Sequence, residues 1–364
     1  MKDQILGETS PDPEIAETCD AKAVEGPREI RWKKKLINDP KDVVKEEAEG
    51  FLAAFGKWYE AVPGVNGLVR KDIPEGKTAF VVGGGSGHEP MFGFFIGENL
   101  ADASVSGNVF TSPDPVSIRK TAEAAERGGG VMFLYGNYAG DVMNFDTAAA
   151  ELEKQGIPVR TILVRDDIAS APKERSCDRR GIGGDALMLK IAGAACACLD
   201  LSEAARVTQK AADQLYTIGV GLEGATIPGQ RSPIFTLPED EMEYGLDIHG
   251  EPGVRRVKMR TADEITEDFV NAILADSGIC AGDTVCTYVN GLGSTTLMEL
   301  MIMNRRLAAL LKEKGILIHD MDVNSYVITQ EMAGASISVM KMDEELLRYY
   351  DMPCWSPYYM KQKS

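Results

Sequence analysis

Between residues 77 and 164 short apolar runs alternate with a longer amphipathic one. "KTAFVV" (77–82), "GVMFLYG" (130–136) and "PVRTILV" (158–164) read as buried strands, and "NFDTAAAELEKQG" (144–156) reads as a helix closed by Gly156. Strand, helix, strand at this spacing means βαβ units and a parallel sheet. An amphipathic helix is expected before them, near residues 41–61, where Val43, Val44, Phe51, Leu52 and Phe55 recur at helical spacing. Helices follow near 185–199 and 203–217.

From about residue 217 the pattern changes. Turn signals at "ATIPGQRSP" and "IHGEPGV" precede a helix at 264–275, a strand at 283–289, a loop "NGLGST" (290–295), a helix to about 314, and strands near 316–323 and 335–342. This half reads as mixed α/β with antiparallel pairs. The expected fold class is therefore α/β in two domains. Residues 30–200 would form a three-layer α/β/α domain on a parallel sheet, and residues 201–364 a two-layer domain on a mixed sheet. Residues 1–29 are acidic, turn-rich and weakly periodic, and read as a flexible extension with no apolar stretch of the kind a secretory signal needs.

Charge narrows the function classes. The net charge of −17 argues against nucleic acid and against an anionic membrane surface, since both are bound through cationic side chains. It does not forbid a phosphorylated ligand in a local glycine-rich site. The seven cysteines (Cys19, Cys177, Cys196, Cys198, Cys280, Cys286, Cys354) are odd in number and form no CxxC pair. They suggest a reduced, cytoplasmic compartment and no metal site. In "GAACAC" both Cys196 and Cys198 read as core filler.

Ligands of open parallel sheets sit at the carboxyl ends of strands, so the loops there are the places to search. Gly83, Gly84, Gly85, Ser86, Gly87 and His88 follow the first strand. They form neither a Walker A loop nor GxGxxG, and three readings stay open: a tight glycine turn with an incidental histidine, a phosphate cradle, or a close approach to a small polar ligand that His88 touches. Asp141, in "YGNYAGDVMNF", either caps a helix or faces a ligand. His249, in "LDIHGEPGV", is either satisfied by turn backbone or reactive. His319 reads as structural or exposed. Two imidazoles and a carboxylate can together perform carbonyl and hydroxyl chemistry without a metal.

The segments "GGGSGHEPM", "FTSPDP", "NYAGDVMNF", "RRGIGGD" and "DEMEYGLDIHGEPGV" occur in one order. In that order the chain closely resembles the K-type, substrate-binding subunit of dihydroxyacetone kinases, from about Lys34 to about Ser356. The resemblance implies that His249 forms a covalent hemiaminal with a ketose. It further implies that His88 hydrogen-bonds the resulting oxygen and that Asp141 acts on the hydroxyl to be phosphorylated. Gly84 and Gly85 would offer backbone N–H groups to the sugar. Gly136 stands where bacterial members often carry Lys, and "ATIPG" with Ala225 stands where many carry Cys. The "YGNYAGDVMNF" form resembles more closely the branch that includes erythrulose kinases, and the missing Lys side chain would leave room for a longer ketose.

The resemblance also implies a homodimer, a cytoplasmic place in glycerol metabolism, and no cofactor on this chain. A separate L-type subunit would carry ATP or ADP with Mg. The alternative reading is a non-catalytic ketose-binding or regulatory protein on the same fold.

Overall fold

The computed structural model describes residues 35–246, 248–251 and 253–362. Helix α1 (Val43–Phe55) leads into a six-stranded sheet. Its strands are β1 (Tyr59–Ala61), β2 (Gly67–Arg70), β3 (Ala79–Ser86), β4 (Ala103–Val109), β5 (Val131–Gly136) and β6 (Val159–Val164), in the order β1-β2-β4-β3-β5-β6. Strands β4, β3, β5 and β6 run parallel, while β1 and β2 add antiparallel pairs at the β4 edge. Helices α2 (Pro115–Ala125) and α3 (Ala139–Lys154) cross between parallel strands. Next come α4 (Asp185–Cys198) and α5 (Leu201–Ala212).

The second sheet holds β7 (Leu215–Glu223), β8 (Glu241–Tyr244), β9 (Arg255–Lys258), β10 (Thr284–Gly291), β11 (Leu317–Asn324) and β12 (Ala333–Met342), ordered β11-β10-β12-β7-β8-β9. Only β10 and β11 pair in parallel, so this sheet is mixed, as its irregular spacing suggested. Helices α6 (Ala262–Ser277) and α7 (Leu297–Glu313) pack on it, and α8 (Glu344–Tyr350) closes the chain.

Alternation along each strand assigns its two faces. In β3, Ala79 and Val81 face α2 and α3, while Phe80 and Val82 face α4 and α5. In β10, Val285 and Val289 face α6 and α7, while Cys286 and Tyr288 share one core with α4, α8 and the inner face of the first sheet. The helices α4, α5 and α8 thus lie in a layer between the two sheets. Every residue from Asp185 to Cys196 is buried, which explains why α4 is built of small residues with no polar face. A Cβ on Gly193 would run into the Asn99–Leu100 backbone.

Five details depart from the sequence reading. The helix expected over 41–61 ends at Phe55, and Tyr59–Ala61 instead form β1 against β2. The second half of "VVGGGS" is strand, not loop: Gly83, Gly84 and Gly85 stay paired with Val105, Ser106 and Gly107 of β4. Helix α3 begins at Ala139, five residues earlier than its apolar period indicates, because Tyr138 ends the extended segment. The helix expected to reach 217 stops at Ala212, since Thr217, Ile218 and Val220 are drawn into β7 between two other strands. Cys198 is exposed at the end of α4, whereas Cys196 is buried. Helix α2 has a legible start: Asp114 accepts from the N–H groups of Val116 and Ser117, with Pro115 in the first turn.

Candidate functional site

The carboxyl ends of β3, β5 and β6 open toward the β8–β9 connection, and one cleft forms there. Its empty space, open solvent at the mouth included, is about 290 Å³, and it is lined by Gly83, Gly84, Gly85, His88, Phe92, Gly136, Tyr138, Asp141, Gly181, Asp185, Ile248 and His249. Larger cavities, of about 750 Å³ beside α1 and about 820 Å³ beyond β6, contain none of the sequence candidates except by adjacency. The small cleft suits a ligand of few atoms.

The two histidines meet edge to face. Their Nε2 atoms are 3.1 Å apart and their ring centroids 4.9 Å apart. His88 reaches this position because Gly87 turns the chain at φ +102°, where a Cβ would also strike the Phe110 ring. The Ile328 carbonyl can only accept, so the His88 Nδ1 at 2.7 Å carries a proton and donates it. In the neutral ring, Nε2 of His88 is then the acceptor that faces His249.

Two aromatic rings frame the pair. Phe110 packs 5.3 Å from His88 and 5.8 Å from His249, and Tyr138 stands edge-on to His249 at 4.8 Å. Tyr138 is tied by its hydroxyl, which donates to Gly181 O at 3.0 Å. Phe110 sits at φ +55°, an uncommon backbone for a bulky residue. Neither ring stood out in the sequence, although both lie inside the quoted segments "FTSPDP" and "NYAGDVMNF".

Asp141 lies in the first turn of α3, but Tyr138 is the N-cap residue and no side chain caps that helix. Helix capping therefore does not account for Asp141. Its Oδ1 is buried without a partner among the described residues. Burial pushes its carboxyl above the usual range, opposed by a hydrogen bond from Ser112 and by the neighbouring His249. Ser112 is itself held by Asn144 Nδ2 at 3.2 Å.

The glycines have packing reasons of their own. A Cβ on Gly84 would come within 2.6 Å of the Phe92 ring, and one on Gly85 within 2.7 Å of Thr111 N. A Cβ on Gly136 would stand 3.1 Å from Tyr138 Cε2, so this glycine admits the ring that covers His249. His319 is remote from the cleft, with Nε2 2.7 Å from Asp351 Oδ1. Among the described residues no group of three or more His, Cys, Asp or Glu is arranged to hold a metal, and no helix is long and apolar enough to cross a membrane.

These features define a class: a two-sheet α/β protein with a small cleft at its strand ends, lined by a histidine pair and two carboxyls. Residues 49–358 match the Dak1 domain, and the chain belongs to that family. It is 40% identical over 329 residues to "PTS-dependent dihydroxyacetone kinase 2, dihydroxyacetone-binding subunit DhaK" of Listeria innocua, which covers 90% of this chain and 99% of that protein. It is 41% identical over 332 residues to an L-erythrulose kinase of Pectobacterium atrosepticum, covering 90% of this chain but 56% of that protein. The chain thus spans little more than half of that relative. Among solved structures, "Dihydroxyacetone kinase operon co-activator Dha-DhaQ" superposes with a TM-score of 0.82 at 29% identity, over 89% of this chain and 100% of that one. The native dihydroxyacetone kinase of C. freundii gives 0.81 at 27% identity, over 90% of this chain and 60% of that one.

Proposed function

We propose that this chain is the substrate-binding subunit of a ketose kinase, holding a short ketose as a hemiaminal on His249 while a separate nucleotide-carrying subunit delivers the phosphoryl group. The observation that carries this reading is the facing pair His88 and His249, with Asp141 in the same cleft. A dihydroxyacetone-binding kinase subunit and an erythrulose kinase are similar to this chain to the same degree, so identity alone does not choose between a three- and a four-carbon ketose.

The chemistry balances with the groups present. A nitrogen lone pair of His249 attacks the ketose carbonyl carbon, the C–N bond forms, and the C=O π pair moves onto oxygen. The proton that His249 gives up passes to that oxygen, and His88 Nε2, placed to accept from His249, is the shuttle. The bond orients a ligand with few atoms to grip and rejects polyols, which offer no carbonyl. Asp141, whose raised carboxyl has an unpartnered oxygen, takes the proton of the terminal hydroxyl as phosphoryl transfer proceeds.

The nucleotide, ATP or ADP with Mg, belongs on the partner in this reading. A homodimer and a cytoplasmic location complete it.

A second reading is favoured by one observation. An operon co-activator shares the fold over its whole length, so the fold is compatible with a regulatory role. The retained hydroxyl-directed Asp141 supports the kinase, since a sensor needs only the capture step. Native mass spectrometry with dihydroxyacetone and erythrulose tests capture. A hemiaminal adds the whole ketose mass, whereas a lysine Schiff base is lighter by one water and is trapped by borohydride. Reconstitution with an L-type subunit and nucleotide then separates kinase from regulator: capture without turnover supports the regulatory reading.

A further inference from the structure

Asp185 opens α4 and is 2% exposed, yet its Oδ1 has no hydrogen-bond partner among the described residues. It lines the cleft that contains His249 and Asp141. Asp166, equally buried nearby, offers a contrast. Its two carboxylate oxygens accept from the N–H groups of Ile182 and Gly184 at 2.8 Å each, so it fastens the turn that leads into α4. Asp185 has no such structural duty. An unsatisfied carboxyl buried in an interior costs stability, and an apolar residue of similar size would avoid that cost.

Position gives the group a use. Helices α3 and α4 lie on opposite faces of the first sheet, and the end of β5 at Gly136 runs between them. Asp141 and Asp185 therefore flank the cleft from two sides, with His249 reaching in from the other sheet. A short ketose has a carbonyl carbon between hydroxyl-bearing ends, which matches one imidazole between two carboxyls.

We propose that Asp185 is a specificity-determining residue, whose unpartnered carboxyl binds a ketose hydroxyl on the side of the cleft opposite Asp141. The assignment rests on the ketose-binding reading above. Burial holds the Asp185 carboxyl well above the usual range, and the charges of Asp166 and Asp141 push it the same way. A neutral carboxyl both donates to and accepts from a hydroxyl, and it adds no repulsion when Asp141 ionises.

The test pairs a deletion in the protein with a deletion in the ligand. Dihydroxyacetone and hydroxyacetone, which lacks one hydroxyl, are titrated by calorimetry against the wild type, Asp185→Asn and Asp185→Leu. Wild type is expected to prefer dihydroxyacetone by on the order of 10- to 100-fold, since the analogue lacking the hydroxyl leaves a buried polar group unpaired. Asp185→Leu should lose most of that preference. Asp185→Asn, which still donates and accepts, should keep it within roughly threefold. A preference unchanged in Asp185→Leu overturns the proposal. If Asp185→Leu does not fold, Asp185→Asn decides, and loss of the preference there overturns the neutral hydrogen-bonding role. Wild type that binds ketose without a covalent mass shift removes the hemiaminal but leaves this comparison intact. Wild type that binds neither ligand overturns both.

Discussion

The Nε2 atoms of His88 and His249 lie 3.1 Å apart, although 161 residues separate them in the chain. One follows a strand of the first sheet and the other sits in a loop of the second, so the stacking of the sheets creates the pair. His249→Ala should therefore abolish the ketose adduct in native mass spectrometry. Its melting temperature should stay within a few degrees of the wild type, because the imidazole is only half-buried at a turn. An adduct that persists in this variant would move the covalent role to another residue.

Asp141→Asn separates capture from transfer. The amide keeps the shape but takes no proton, so the adduct should remain while phosphoryl transfer with a competent partner falls roughly 10²–10⁴-fold. The same variant has a stability signature. The folded carboxyl is raised above its ordinary value of 3.8. Its contribution is thus fully present below that value and is lost as pH rises through the folded value. Asp141→Asn should accordingly melt no lower than wild type at neutral pH and lose its relative advantage in strong acid. Equal loss of capture and turnover would identify Asp141 as a structural residue.

Glu47 on α1 offers a sharper pH test away from the chemistry. Burial, and then the charge of Glu89, push its carboxyl from 4.5 up to about 8. Glu89 follows His88 directly and accepts from Gly87 N at 2.7 Å. A raised carboxyl favours the fold below its unfolded value and loses that contribution as pH climbs to the folded one. Glu47→Gln should therefore gain melting temperature over wild type between about pH 4.5 and about pH 8, with a plateau above. A difference that does not change with pH would show that the Glu47 carboxyl is not raised in the folded protein.

Gly85→Ala tests the strand that carries His88. The new methyl would press on Thr111 N and the Phe110 backbone, and neither neighbour is a flexible side-chain end. A cost of about 1–3 kcal/mol is expected from such overpacking. Because Phe110 packs on both histidines, ketose affinity should fall together with stability in calorimetry and thermal melts. Full affinity in a destabilised variant would mean that the Phe110 segment yields without disturbing the pair.

The alternation that announces β3, β5 and β6 is local, and so it was legible in the chain. The apolar period of α6 and α7, the turn glycines and the motif residues His88, Asp141 and His249 were legible for the same reason. Strands that depend on neighbours were not: β1, β2 and β4 are short or carry Ser, Gly and Asn, and they are held by pairing that no single segment encodes. The glycines after Val82 looked like a loop, because their flat backbone has no apolar signal of its own. Only the close packing of β4, Phe92 and Thr111 against that backbone makes them strand.

The sequence by itself determined which groups the site could use, since side-chain chemistry and local periodicity travel with the chain. The tertiary structure decided how those groups meet. Two sheets stacked on a shared layer of helices bring His249 to His88, place Asp141 and Asp185 in the lining of one cleft, and bury one oxygen of each carboxyl. Burial and long-range distance are properties of that packing, and no local pattern of residues encodes them.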